Sequence, residues 1–117
     1  TVTGRLQPHY TLTDALRGAF PMGSMTGAPK IKVMELIEHY EQSRRGIYSG
    51  AAGYVCPSGD FDFNVVIRSI VYEALQQRLS FMVGSAITWD SDPEQEYEEC
   101  LLKAAAMLKS LRQTLPA

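Results

Sequence analysis

The stretch from residue 49 to residue 88 limits the fold most strongly, because β-branched and aromatic residues dominate it and turn residues interrupt it. Three runs in it are typical of strands: SGAAGYVC, FDFNVVIRSIVYE and LSFMVGSAIT. The segments PSGD and ALQQR between these runs have the residues that tight turns prefer. We therefore predict a three-stranded antiparallel meander.

Helical patterns precede this β-rich stretch. In YTLTDALRGAFP, Thr11 is a candidate N-cap with Asp14 three residues later, and Pro21 ends the pattern. In MGSMTGAPKIKVMELIEHYEQ, a glycine-containing turn leads into a second helix with Pro29 near its first position. The apolar residues of this second helix fall along one side: Ile31, Met34, Leu36 and Ile37.

A third helix follows the β-rich stretch. We predict Ser91 as its N-cap, Pro93 at its first position and Glu94 as the partner of Ser91 in a capping box, with the helix running towards Leu115. An antiparallel sheet with helices packed against one face belongs to the α+β class. The fold class predicted from the sequence is therefore α+β.

Length, charge and cysteine content limit the function. A chain of 117 residues has the size of one domain, and its first run, TVTGRLQP, is typical of a strand already under way, so we expect a fragment. A formal net charge of -2 argues against a nucleic-acid partner. No apolar run approaches the roughly 18 residues of a membrane span. Cys56 and Cys100 lack the spacing of a disulfide framework or a zinc site, so we expect reduced thiols. The amino end also lacks the basic-then-apolar pattern of a signal peptide, and we therefore expect a cytoplasmic protein.

The third helix carries the strongest candidate site. Glu96, Glu99 and Lys103 lie within an arc of about 60° on an ideal helix, so their side chains face the same way. Two carboxylates one turn apart can bind a hard cation such as Mg²⁺. Glu99 and Lys103 also have the spacing of an ordinary surface ion pair, and the spacing alone favours that second interpretation.

Three further features have an ordinary structural explanation, and two of them also have a functional alternative. Arg68 lies inside the apolar run NVVIRSIVY, where it either points to solvent or is buried against an anion. Tyr48 is typical of a half-buried aromatic residue at the start of a strand. The segment GSMTGAPK is either an anion-binding loop or a plain turn, and it lacks the P-loop pattern.

Four motifs together resemble the chorismate-binding enzymes, in their order and in their spacing: FPMGSMTGAPK, SRRGIYSGAAGY, GDFDFNVVIRS and GSAITWDSDPEQEYEECLLKA. The resemblance extends from Thr1 to about Leu111. It implies that residues 1–117 are the carboxy-terminal part of a single catalytic domain, in which two large sheets pack together between outer helices.

The resemblance also implies roles for particular residues. Glu96 and Glu99 would be ligands of Mg²⁺, and Lys103 would face the substrate. Tyr48 and Arg68 would bind a carboxylate of chorismate, which places Arg68 on the inward face of its strand. The remaining substrate-binding positions that it implies are Ser24, Thr26, Gly27, Gly84, Ser85 and Ala86, although the family has glycine more often at the last of these.

Members of the family that transfer an amino group take ammonia from a glutamine amidotransferase partner. The segments GDFDFNVVIRS and GSAITWDSDPEQEYEEC are more similar to component I of aminodeoxychorismate synthase, an Mg²⁺-dependent transferase that makes 4-amino-4-deoxychorismate for 4-aminobenzoate and folate synthesis. Component I of anthranilate synthase is the alternative, and a non-catalytic binding module with solvated acids is another. The catalytic histidine, the nucleophilic lysine and further metal-site acids would lie before residue 1, so we expect residues 1–117 alone to be inactive.

Overall fold

The structure, a computed structural model, describes residues 4–114 and confirms the α+β class. Its elements follow one another in the order α1 (Leu12–Ala19), α2 (Gly23–Thr26), α3 (Lys30–Tyr40), β1 (Ala51–Val55), β2 (Phe61–Val65), β3 (Ile70–Glu73), β4 (Arg78–Phe81) and α4 (Pro93–Thr114). The chain divides into two compact units between residues 50 and 51. The first unit is helical, and the second contains all four strands and α4.

Helix α1 begins as predicted. The amide of Asp14 donates to Thr11 Oγ1 over 3.3 Å, and the amide of Thr11 donates to Asp14 Oδ2 over 2.9 Å, which forms the capping box. The helix ends at Ala19, two residues before Pro21. The predicted strand in TVTGRLQP is not seen at residues 4–8, and residues 1–3 lie outside the described residues.

Helices α2 and α3 pack against each other, and the link between them depends on Gly27. This residue has φ of 125°, and a Cβ there would lie 3.1 Å from Val33 Cγ1. Only glycine combines that backbone conformation with so close an approach. Pro29 is the N-cap of α3, next to the first helical residue, as predicted.

Strands β1 and β2 form an antiparallel hairpin in which Gly53 pairs with Phe63. A Cβ on Gly53 would collide with the carbonyl oxygen of Asp62 and with the Phe63 ring. The turn closes through a hydrogen bond of 2.7 Å from the Cys56 amide to the Asp60 carbonyl oxygen. Both the close approach at Gly53 and the turn fix the register of this hairpin.

The predicted three-stranded meander is wrong, because the middle strand is broken. Residues 66–69 lie between β2 and β3, and Arg68 there has φ of 49°, in the left-handed region. The Ile67 amide donates to the Val65 carbonyl over 2.9 Å, and the Ser69 hydroxyl donates to the Ile67 carbonyl over 2.9 Å. These local hydrogen bonds take backbone groups that a continuous strand would pair with its neighbour.

The result is two separate two-stranded sheets. Strands β3 and β4 pair antiparallel, with Ile70 opposite Phe81 and Glu73 opposite Arg78. Strand β4 ends at Phe81, whereas the sequence predicted a strand as far as residue 88. Residues 82–92 therefore form an irregular loop, called the site loop below, that leads into α4.

The predicted cap of α4 is also wrong. Asp92 Oδ1 accepts hydrogen bonds from the amides of Glu94 at 3.0 Å and Gln95 at 2.9 Å, so Asp92 is the capping residue. Ser91 lies one residue too early and makes other contacts. Pro93 begins the helix as predicted.

Few side chains are shielded from solvent. Among the described residues, Met107 is the buried apolar residue, with 8% of its surface exposed, whereas Trp89 is 99% exposed and Leu75 is 98% exposed. Among the described residues of the second unit, the main contacts between elements lie inside the two hairpins, and no extensive packing of α4 on a sheet face is seen. Within residues 4–114, no helix has both the length and the apolar character needed to cross a membrane.

This exposure predicts how residues 1–117 behave when they are produced alone. Exposed apolar side chains bind hydrophobic dyes and associate with one another, so we expect strong enhancement of anilinonaphthalene sulfonate fluorescence and concentration-dependent light scattering. The same chain in concentrated guanidinium chloride, where no apolar surface is organised, is the control. A cooperative thermal transition of a monomer that leaves the dye unchanged would contradict the prediction.

Candidate functional site

The site loop and α4 meet at the hydroxyl group of Ser85. Ser85 Oγ lies within hydrogen-bonding distance of Glu96 Oε2, and it lies 3.0 Å from Glu99 Oε2. Glu96 and Glu99 are one helical turn apart, so their side chains emerge from the same face of α4, as the sequence predicted. The two carboxylates therefore converge on one point.

A serine hydroxyl cannot satisfy both carboxylates at once. It has one proton, so it donates to one carboxylate oxygen and presents a lone pair to the other. Two carboxylates one turn apart also repel each other. The arrangement thus leaves negative charge converging on a point where a hard cation with a preference for oxygen ligands would be stabilised.

Lys103 uses the other oxygen of Glu99. Its Nζ lies 2.6 Å from Glu99 Oε1 and donates to the Gly84 carbonyl oxygen over 2.9 Å. The hydrogen bond from Lys103 lowers the pKa of Glu99, the hydrogen bond from Ser85 lowers it further, and the nearby ammonium charge adds to both. The ordinary ion pair is therefore present, yet it leaves Glu99 Oε2 directed towards Ser85 and Glu96.

Ser91 holds the second oxygen of Glu96, a contact that the sequence did not predict. Its hydroxyl donates to Glu96 Oε1 over 2.9 Å and accepts from the Thr88 amide over 3.0 Å. With Oε1 held in this way, Glu96 Oε2 is fixed towards Ser85. The sequence signal for this contact is a serine directly before the Asp-Pro pair at the start of α4. The same serine led to the prediction that Ser91 caps the helix.

The oxygen ligands here suit Mg²⁺ but do not complete a site. Among the described residues, no group of three or more His, Cys, Asp or Glu side chains is arranged to hold a metal ion. Glu96 is partly buried, and Glu99 is exposed. A cation at this point would bind these two carboxylates and would need further oxygen ligands from water, from substrate or from other protein groups.

Two residues implied by the family resemblance are exposed to solvent. Arg68 is exposed in the bend between β2 and β3, so its predicted place on the inward face of a strand is wrong. The family resemblance implied that place, and the left-handed backbone at Arg68 takes the residue out of the strand. Ala86 is exposed, whereas Gly84 and Ser85 are partly buried.

The remaining predicted residues belong to the first unit. Ser24 is exposed in α2, and Thr26 Oγ1 donates to the Met22 carbonyl oxygen over 3.0 Å within the same helical turn. Gly27 ends α2. Tyr48 is partly buried, but it lies in the turn of residues 46–49 and not at the start of β1.

Comparison with known proteins relates the chain to one family. Residues 1–109 match the family described as chorismate binding enzyme. An aminodeoxychorismate synthase of Streptomyces pristinaespiralis is 48% identical over 113 residues, which cover 97% of this chain. Component 1 of anthranilate synthase from Methanothermobacter thermautotrophicus is 47% identical over 110 residues, which cover 94% of this chain.

The matched region is a small part of these relatives. It corresponds to 15% of the Streptomyces pristinaespiralis protein and to 23% of the Methanothermobacter thermautotrophicus protein. An aminodeoxychorismate synthase of Streptomyces griseus is similar in the same way, with 46% identity over 116 residues and 16% of its length matched. The match along nearly the whole of this chain is decisive for the family, and the chain belongs to the chorismate binding enzymes.

Proposed function

We propose that the protein containing this chain is component I of an aminodeoxychorismate synthase. It would make 4-amino-4-deoxychorismate from chorismate and ammonia, for 4-aminobenzoate and folate synthesis in the cytoplasm. Relatives named aminodeoxychorismate synthase, at 48% and 46% identity, support the proposal. The observation that carries the metal-dependent part is the convergence of Glu96 and Glu99 on Ser85 Oγ.

In this proposal Glu96 and Glu99 would hold Mg²⁺, whose positive charge would offset a carboxylate of chorismate and favour loss of the C4 hydroxyl. The Ser85 hydroxyl would then be available to a substrate oxygen. Ser91 keeps Glu96 in place throughout, because it bonds the oxygen that faces away from Ser85.

Lys103 has two proposed tasks that its contacts support. Its ammonium group compensates the charge of Glu99, and its bond to the Gly84 carbonyl fixes the backbone of the small-residue segment 84–86. That segment is proposed to bring backbone amides towards a substrate carboxylate. Ala86 carries a Cβ where the family more often has glycine, which makes the approach at that position less close.

Binding of the other parts of chorismate is proposed for residues that lie outside the cluster. Arg68 and Tyr48 would bind a carboxylate. The guanidinium of Arg68 is exposed and has no buried protein partner within the described residues, which leaves it able to bind an anion. Ser24, Thr26 and Gly27 would border the substrate at the turn formed by α2. These roles rest on the family resemblance.

Ammonia is proposed to come from a glutamine amidotransferase subunit. The remaining metal ligands, the catalytic histidine and the nucleophilic lysine would be contributed by parts of the protein outside residues 1–117. The two carboxylates of this chain are then one part of the metal site.

A second candidate is component I of anthranilate synthase, because a relative with that name reaches 47% identity. The product separates the two candidates. We expect the full-length protein with chorismate, Mg²⁺ and ammonium to yield a compound that aminodeoxychorismate lyase converts to 4-aminobenzoate, identified by chromatography and mass spectrometry. Formation of anthranilate without the lyase would establish the second candidate and refute the first.

The role of the carboxylates gives a sharper prediction. In the full-length protein, Glu99→Gln keeps the shape of the side chain and removes the charge, so we expect Mg²⁺-dependent turnover to fall by at least about tenfold. The apparent Mg²⁺ affinity should fall with it. Steady-state rates measured across a range of Mg²⁺ concentrations test both.

Glu98→Gln is the matched control. Glu98 is the exposed neighbour of Glu99 on the same helix and forms no hydrogen bond or ion pair found among the described residues. Its replacement should change turnover by no more than about twofold, as for an ordinary surface substitution. Small and equal effects of the two changes would mean that Glu99 forms only a surface ion pair.

A further inference from the structure

Arg45 connects three segments of the first unit through its guanidinium group. Its Nε donates to Glu41 Oε2 over 2.8 Å, and its Nη2 lies 2.5 Å from Glu41 Oε1. This is the two-point arrangement in which arginine binds a carboxylate most strongly. The pair fixes the guanidinium plane relative to the residue that follows α3.

The third nitrogen of the group reaches two other places. Nη1 donates to the Met25 carbonyl oxygen over 3.0 Å and to Ser49 Oγ over 3.1 Å. Met25 is 20 residues earlier in the chain and lies in α2 between two residues proposed to border the substrate. Ser49 directly follows Tyr48, so one side chain joins the α2 turn to the turn that carries Tyr48.

The contacts of Arg45 are partly shielded from solvent. The Arg45 side chain is 24% exposed, and Ser49 is buried, with 8% exposed. Ser49 has φ of 69°, a conformation that non-glycine residues seldom adopt, and the bond from Arg45 holds its side chain there. The Met25 carbonyl belongs to the last turn of a four-residue helix, where carbonyl oxygens lack helical partners.

Tyr48 itself lies close to this group. The hydrogen bond that Arg45 donates to Glu41 raises the pKa of Arg45, and the nearby Tyr48 side chain adds a smaller electrostatic effect in the same direction. The same hydrogen bond lowers the pKa of Glu41. The pair therefore stabilises the charged form of both its members.

We propose that Arg45 is a positioning residue that holds the α2 turn and Tyr48 in the spacing that chorismate binding requires. The proposal rests on the function proposed above. Lysine at this position keeps the charge, but its single nitrogen cannot bind both oxygens of Glu41 while also reaching Met25 and Ser49.

The test uses the full-length protein with Arg45→Lys, and it measures the Kd for chorismate by calorimetry in the presence of Mg²⁺ and in the absence of ammonium. We expect the Kd to rise about tenfold, the equivalent of one charge-assisted hydrogen bond, with the melting temperature of the protein retained within a few degrees. Arg44→Lys is the matched control, since Arg44 is adjacent and exposed. Its Kd should equal that of the parent protein.

Glu41→Gln provides an independent variant that leaves Arg45 in the chain. It removes the carboxylate charge that orients the guanidinium, so the Kd for chorismate should rise in the same direction. An unchanged Kd in both Arg45→Lys and Glu41→Gln would overturn the proposal.

A double variant separates positioning from an independent effect. If Arg45 acts through Tyr48, the rise in Kd for Arg45→Lys with Tyr48→Phe is smaller than the product of the two single rises. A rise in Kd equal to that product would refute the positioning role of Arg45 but not the substrate role of Tyr48. Unchanged chorismate affinity in Tyr48→Phe and in Thr26→Ala would instead refute the substrate roles on which the proposal rests.

Discussion

The contact of the Ser85 hydroxyl with two glutamates joins the site loop to α4 at the candidate site. It is the point where the irregular site loop is bound to the first turns of α4. Lys103 strengthens the same junction from one side, through Gly84, and Ser91 does so from the other, through Glu96. Two carboxylates one turn apart would otherwise repel each other and point into solvent. The helix places both carboxylates on one face, and the hydrogen bonds from the loop hold them together.

Signals that act within a few residues predicted their structures well. The capping box of α1 follows from side chains that bond their own helix terminus, and the start of α4 at Pro93 follows from the fixed φ of proline. The common direction of Glu96, Glu99 and Lys103 follows from helical geometry alone. The sequence could not show which oxygen of each carboxylate is already engaged, because Ser85 and Ser91 approach from the loop.

The failures of prediction also have particular physical causes. The segment from 61 to 73 is rich in β-branched and aromatic residues and has no residue that forbids a strand, yet the left-handed backbone at Arg68 and two short-range hydrogen bonds divide it. At the start of α4, serine and aspartate are both good caps, and the choice of Asp92 leaves Ser91 available to Glu96. The position of Arg45 between Met25 and Ser49 depends on a contact across 20 residues, which no local pattern contains.

The central claim is that Glu96 and Glu99 form a cation site through the oxygens that face Ser85. Diffraction from crystals of the full-length protein grown with Mn²⁺ in place of Mg²⁺, collected for the anomalous signal of manganese, tests it most directly. The claim predicts one strong anomalous peak at coordination distance from oxygens of Glu96 and Glu99, with the Ser85 hydroxyl no longer bridging them. A peak elsewhere, with Ser85 still bonded to both glutamates and Lys103 to Glu99, would contradict it.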